Sequence, residues 1–331
     1  MNDASATKLK LELDLKNLIA GNWVDSDQRI EVTNPYTNEV VGTVPRMSLD
    51  QVKKAIDAIY EYEPTLTAYE RSEILKGAAA EITARKDELA YGISLESGMS
   101  IKDSTKEVGR GVNLINVAAE EAKRIMGEQL PSDVDSSGAD KFIMAMRCPV
   151  GVVSAIVPFN RPMNQVVVKV APSFAAGNKT IIKPTERTPM SAIRFVQILL
   201  NNGMPPEMIS IVTGKSSEIG DELVSSQKID MVTFTGSTEV GRKLTNMAGI
   251  KKLTMELGGN DPLIVLEDGD LDKAAKLAVA GAYGNAGQAC RGVKRILVIN
   301  SVADAFAEKL KAETEKIKCG DPFDPDTAIG T

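Results

Sequence analysis

Two short glycine-rich segments carry the residues best suited to chemistry: "MELGGND" at 255–261, which contains Glu256, and "GNAGQACRG" at 284–292, which contains Cys290. One offers a thiol nucleophile and the other a carboxylate base. The chain has no histidine, so an activated nucleophile must depend on a carboxylate, a lysine or a helix terminus. Cys290 stands among glycines beside Arg291, where a cation favours thiolate over a thiol of ordinary pKa about 8.5. Glu256 ends an apolar run, where an unpaired carboxylate is costly unless it has a task. The other two cysteines, Cys148 and Cys319, read as small buried hydrophobes.

Further polar residues fall in turns that follow apolar runs. "PFNRP" at 158–162 places Pro158 and Asn160 at a strand end, where the Asn160 amide is a candidate oxyanion donor. "IIKPTE" at 181–186 does the same for Lys183 and Glu186, which suit the hydroxyls of a ribose. "FTGSTEVG" at 234–241 runs from a strand through Gly236 and Ser237 into a helix, whose free N–H groups suit a pyrophosphate. The standard GxGxxG fingerprint is absent. "TGKSSEIG" at 213–220 imitates a phosphate-binding loop, but Ile209 occupies the place of its first glycine, which argues against nucleotide hydrolysis.

The elements that must hold these residues can be read from periodicity. Residues 19–45 suggest short strands and turns. Helical stripes follow: Val52, Ala55, Ile56 and Ile59; Ile74, Leu75, Ala78 and Ile82; Val108, Val112, Ile115 and Ala119. "KFIMAMRCPVG" at 141–151 alternates like an extended ribbon. "GVVSAIVPF", "KTIIKP", "ISIVTG" and "MVTFTG" are short apolar runs between helix-like segments, the signature of a buried parallel sheet. A second set, "KLTMEL", "PLIVLED" and "RILVIN", comes with helices near 270–282 and 302–318. The chain stops at "DPDTAIGT", inside what reads as an unfinished α/β domain.

At 331 residues and 43% apolar content, two domains are expected. Net charge is −6 with both signs interspersed, which disfavours nucleic acid or an anionic membrane as partner. Three widely spaced cysteines without CxxC spacing argue against a disulfide framework or a metal site. No stretch reaches the roughly 18 apolar residues of a membrane span, so a cytoplasmic protein acting on a small molecule is expected.

Taken together, and in this order and spacing, "PFNRP", "IIKPTE", "FTGSTEVG", "MELGGNDPLIV" and "GNAGQACRG" resemble the NAD(P)-dependent aldehyde dehydrogenase superfamily along essentially the whole chain. The resemblance implies an α/β fold. Residues 1–18 would be a tail, 19–255 a Rossmann-like cofactor domain with an oligomerisation β-arm at about 140–150, and 256–331 the first part of a catalytic domain. It implies Cys290 as nucleophile and Glu256 as the base that activates water, desolvated and with a raised pKa. Asn160 with the Cys290 N–H would form the oxyanion hole; Pro158, Lys183, Glu186, Gly236 and Ser237 would contact the cofactor. NAD is expected rather than NADP, because Glu186 would repel a 2′-phosphate, and a homodimer or homotetramer is expected in the full-length protein.

Three departures from the family pattern stand out. The family's ExFGP motif and closing oligomerisation strand are missing, so the chain is expected to be a fragment or truncated product, inactive or nearly so as it stands; the alternative is a catalytically inactive fragment that only binds nucleotide or partner subunits. Arg161 and Arg291 take places where many members carry uncharged residues. Met99 replaces a frequent lysine. Arg110, Arg161 and Arg291 around the inferred substrate tunnel suit an anionic aldehyde, phosphonoacetaldehyde first, with succinate semialdehyde and lactaldehyde or glycolaldehyde as rivals. A competing role for these arginines is an intramolecular ion pair with Glu107 or Glu120. A CoA-acylating relative is disfavoured because such enzymes typically lack the glutamate that Glu256 supplies.

Overall fold

The computed structural model describes residues 11–331; the first ten residues of the expected tail lie outside the described residues. Two short antiparallel strands, β1 (Asn17–Ile19) and β2 (Asn22–Val24), precede an antiparallel hairpin of β3 (Arg29–Thr33) and β4 (Val40–Pro45). Four helices follow: α1 (Leu49–Glu61), α2 (Ala68–Ala84), α3 (Lys86–Ser97) and α4 (Ile101–Ala122). Reciprocal side-chain and backbone bonds start two of them, Ser48 with Gln51 in α1 and Thr67 with Glu70 in α2. The predicted stripes turn inward, with only Val112 of α4 left half-buried. Gly98 ends α3 at φ 68°, a left-handed conformation that glycine adopts without a Cβ penalty.

The expected ribbon is real but shorter than its reading. β6 (Ile143–Ala145) pairs antiparallel with β5 (Glu128–Leu130), a partner strand that periodicity had not marked. Next come β7 (Val152–Ile156), α5 (Asn164–Ala175), β8 (Lys179–Lys183), α6 (Met190–Asn201) and β9 (Ile209–Ile211). Two one-turn helices, α7 (Ser216–Ile219) and α8 (Glu222–Ser225), lead to β10 (Met231–Thr235), α9 (Thr238–Ala248) and β11 (Lys252–Glu256). The seven-stranded sheet has the order β11-β10-β7-β8-β9-β1-β2, with its first five strands parallel. Successive residues of β8 serve opposite faces: Ile181 packs with α1 and α9, Ile182 with α2, α4, α5 and α6. Cover on both faces explains why β7 to β10 read as unbroken apolar runs.

After Glu256 the chain starts a separate parallel pair, β12 (Asp261–Val265) and β13 (Val293–Val298), joined by α10 (Leu271–Tyr283) and followed by α11 (Ala303–Thr314). Val265, Ala275, Ala278 and Phe306 form its small core. The buried reading of Cys148 and Cys319 is incorrect: both are exposed. Cys148 lies in the extended segment after β6, and Cys319 lies in a loop bridged to Ile329.

Candidate active site

The direction of chain progression reverses at β7: β8 and β9 build to one side, β10 and β11 to the other. Ligands in open α/β sheets gather outside the strand ends at such a point. A cavity of about 440 Å³ lies there, lined by Pro158 after β7, Lys183 ending β8, and Phe234, Gly236 and Ser237 around the end of β10. Ser237 caps α9 by accepting from the Val240 N–H at 3.2 Å. A Cβ on Gly236 would lie 2.4 Å from the Phe234 ring, which would have to move to admit it.

Lys183 is 2% exposed, and among the described residues its ammonium donates only to the neighbouring Pro184 carbonyl, at 3.2 Å. Burial pushes it down to about 8, against the pull of Glu186. Glu186 is half-buried, and its Oε1 accepts the Ser216 N–H at 2.7 Å, leaving Oε2 for a ligand. A lysine with spare donors, a carboxylate with a spare oxygen and a helix N-terminus behind a glycine turn fit the adenosine half of a dinucleotide. Ser216 and Ser217 line the same cavity. The segment that only imitates a phosphate loop in sequence is therefore part of this wall, a role visible only once α7 folds against β8.

A second cavity, about 570 Å³, opens between α4, the start of α5 and the loop carrying the thiol. Its wall includes Arg110, Asn160, Arg161, Asn164, Cys290 and Arg291. Asn160 is tied to the thiol loop twice: its Nδ2 donates to Gln288 O at 2.7 Å, and Asn285 Nδ2 donates to Asn160 O at 2.9 Å. Asn285, Ala286 and Gly287 hold φ of 55°, 54° and 73°. Three successive left-handed residues, two of them not glycine, are costly and persist where surrounding bonds impose them. Asn285 was not singled out by sequence reasoning, although asparagine is enriched in this conformation among non-glycine residues.

Glu256 is placed by strand register beside this region and not in the cavity wall itself. It sits opposite Thr235 at the end of β11, and its carbonyl accepts the Gly236 N–H at 3.0 Å. The turn beyond it abuts the thiol loop so closely that a Cβ on Gly259 would stand 2.5 Å from the Cys290 carbonyl. The expectation of a desolvated Glu256 is not met, because its side chain is exposed: β11 is an edge strand whose alternate residues face outward. Lys169, unmarked in the sequence, is buried nearby. Its ammonium donates to Thr233 Oγ1 at 3.1 Å, and burial pushes it down to about 8 while Glu256 pulls it up. A lysine on the inner face of a helix gives no sign in sequence of which strand end it will meet.

The three arginines part company. Arg161 lies 3.7 Å from buried Glu107 and donates to the Met99 sulfur at 3.3 Å, so the intramolecular alternative holds for it. Glu107 Oε1 accepts the Met163 and Asn164 N–H groups at 3.0 and 3.1 Å, and burial raises its carboxyl to about 7. Met99 thereby gains a place, as a soft partner for Arg161. Arg110, on α4, and Arg291 are exposed and make no ion pair among the described residues.

The profile of the aldehyde dehydrogenase family matches residues 23–331. The chain is 39% identical to a 3-sulfolactaldehyde dehydrogenase of Priestia aryabhattai, over 94% of this chain and 66% of the relative. It is 38% identical to the mitochondrial succinate-semialdehyde dehydrogenase of Arabidopsis thaliana, over 99% of this chain and 63% of the relative. The chain thus spans about two thirds of the length of these relatives. Betaine aldehyde dehydrogenase of Staphylococcus aureus, solved with NAD+, superposes with a TM-score of 0.93 at 32% identity, covering 99% of this chain and 66% of that one. The NADP-dependent glyceraldehyde-3-phosphate dehydrogenase of Bacillus halodurans, solved with NADP, gives 0.91 at 36% identity, covering 96% and 68%. On its fold, its motifs and these likenesses, the chain belongs to the aldehyde dehydrogenase family.

Proposed function

We propose that this protein oxidises a small anionic aldehyde to its carboxylate with NAD, through covalent intermediates on Cys290. The observation that carries the proposal is that Cys290, Asn160 and two arginines without an ion pair among the described residues share one cavity, while the turn that follows Glu256 abuts the thiol loop at Gly259. The Cys290 thiolate adds to the aldehyde carbon, a carbon–sulfur bond forms, and the carbonyl electron pair moves to oxygen. The Asn160 amide and the Cys290 N–H donate to that oxygen, held in place by the bonds between Asn160 and residues 285 and 288. The chemistry a nicotinamide dinucleotide supplies when bound is hydride acceptance, which leaves a thioester on Cys290. Glu256 then takes a proton from the water that attacks the thioester, and the sulfur leaves as thiolate. Being exposed, Glu256 is within reach of solvent water.

Pro158, Lys183, Glu186, Gly236 and Ser237 would hold the adenosine and pyrophosphate. Glu186 Oε2 is the group that favours a ribose 2′-hydroxyl over a 2′-phosphate. Arg110 and Arg291 would take the anionic head, with Arg161 contributing its charge from the Glu107 pair; sulfonate, carboxylate and phosphonate all suit guanidinium donors. That two relatives carry names of anionic aldehydes supports this choice of class. Residues 19–255 are assigned to the cofactor domain and 256–331 to the first part of a catalytic domain. In support, the main sheet ends at Glu256 and, among the described residues, the next strands pair only with each other. The β5–β6 ribbon exposes Phe142, Met144 and Met146, which supports an arm that joins subunits into a homodimer or homotetramer.

Cys290→Ala tests the central claim: NADH formation from any aldehyde is expected to vanish while NAD affinity stays within about threefold, since the thiol makes bonds to carbon and not to the cofactor. Turnover above a few per cent would remove Cys290 from the role. A kcat/KM ratio favouring NADP would overturn the part given to Glu186.

A further inference from the structure

We propose that Asn164 recognises a hydroxyl group next to the aldehyde, so that the substrate class is a small hydroxyaldehyde. This deepens the reading of the Cys290 cavity as an aldehyde site and rests on it. Asn164 is the first residue of α5 and lines the cavity together with Asn160 and Cys290. Its side chain is 7% exposed, and neither its Nδ2 nor its Oδ1 has a hydrogen-bond partner among the described residues. Its backbone N–H is engaged by Glu107 Oε1 at 3.1 Å, so the residue is fixed in place while its amide is left unspent.

An amide in that state loses free energy that leucine, of nearly the same size, would not lose. Its shape is accommodated deliberately from the other side: a Cβ on Gly111 of α4 would come within 3.2 Å of Asn164 Oδ1. The chain between Asn160 and Asn164 already turns helically, with the Gln165 N–H donating to Arg161 O at 3.0 Å. One turn therefore separates the oxyanion donor from the unspent amide, a span of about 5.4 Å along the axis.

The chemistry of the amide selects the group it meets. It offers a donor and an acceptor together. An anionic head only accepts and would leave Oδ1 unmet, and a methylene does neither. A hydroxyl donates to Oδ1 and accepts from Nδ2. The anionic end is already provided for by Arg110 and Arg291 on the same wall.

The test reads binding separately from turnover. Lactate, 3-hydroxypropanoate and propanoate, the acids that oxidation of the corresponding aldehydes would give, are compared by how well each protects Cys290 from iodoacetamide, followed peptide by peptide because Cys148 and Cys319 are exposed too. In the wild type at least one hydroxy acid is expected to bind roughly ten- to a hundredfold tighter than propanoate. Asn164→Leu is expected to bring that ratio to within about twofold. Asn164→Ala, which adds no atoms, gives the same readout should the leucine variant fail to fold. No hydroxyl preference in the wild type, or a preference that survives both variants, overturns the proposal. NADH formation from the aldehydes is measured beside it. Its absence, with the hydroxyl preference intact, would sink the oxidation reading alone; its presence without the preference would sink this inference alone.

Discussion

Gly259→Ala is the sharpest probe of how the base-bearing strand and the thiol loop fit together. A Cβ on Gly259 would lie 2.5 Å from the Cys290 carbonyl and 2.8 Å from Asp261 Oδ2, whereas ordinary contact begins at 3.4 Å. The backbone of residue 290 therefore has to retreat by about 0.9 Å, because the clash is with main chain and not with a pliable side chain. A displacement of about 1 Å at a reacting group costs on the order of a hundredfold in rate. Expected results are a kcat for aldehyde-dependent NADH formation down by about that factor, slower alkylation of Cys290, and NAD affinity unchanged, because Lys183 and Ser237 lie in the other cavity. Gly258→Ala is the control. There a Cβ would meet only Thr238 Oγ1, at 3.2 Å, on a side chain able to rotate. Turnover and thiol reactivity of Gly259→Ala within threefold of wild type would refute the claim that this turn positions the nucleophile, as would equal losses in both variants.

Lys183→Met should weaken NAD binding by about 1.5–3 kcal/mol, read by calorimetry, through loss of charge-assisted bonds; unchanged affinity would place the dinucleotide elsewhere. Glu107 has a folded-state pKa of about 7, above its ordinary 4.5, so the folded state binds the extra proton and stability falls as pH rises between those values. Urea unfolding from pH 4.5 to 8 should show wild type losing on the order of 3 kcal/mol relative to Glu107→Gln, and parallel profiles would exclude the effect. Arg110→Met and Arg291→Met should raise KM for an anionic aldehyde by about tenfold or more, with little change for propanal. Equal effects on both substrates would leave these arginines no part in reading charge.

Much of this molecule is written locally. The apolar runs ending at Ile156, Lys183 and Thr235 are strands because burial on both faces demands short unbroken hydrophobic stretches, and the turns that follow them must lie where ligands gather. Glu256 and Cys290 stood out for the same reason, as reactive groups among glycines that let backbone approach backbone. What no local pattern contains is the company a side chain keeps across the fold. Arg161 meets Glu107 and Met99 only because α4 packs on α5, and Lys169 comes near Glu256 only because α5 lays it against Thr233 of β10, the strand paired with β11. The exposure of Glu256 follows from β11 being an edge strand, a property of sheet order and not of the residues in the strand. Asn164 looks in sequence like an ordinary polar residue opening a helix. Its unspent amide exists because tertiary packing buries it against a cavity and supplies no partner, and burial of that kind is decided by residues distant in the chain.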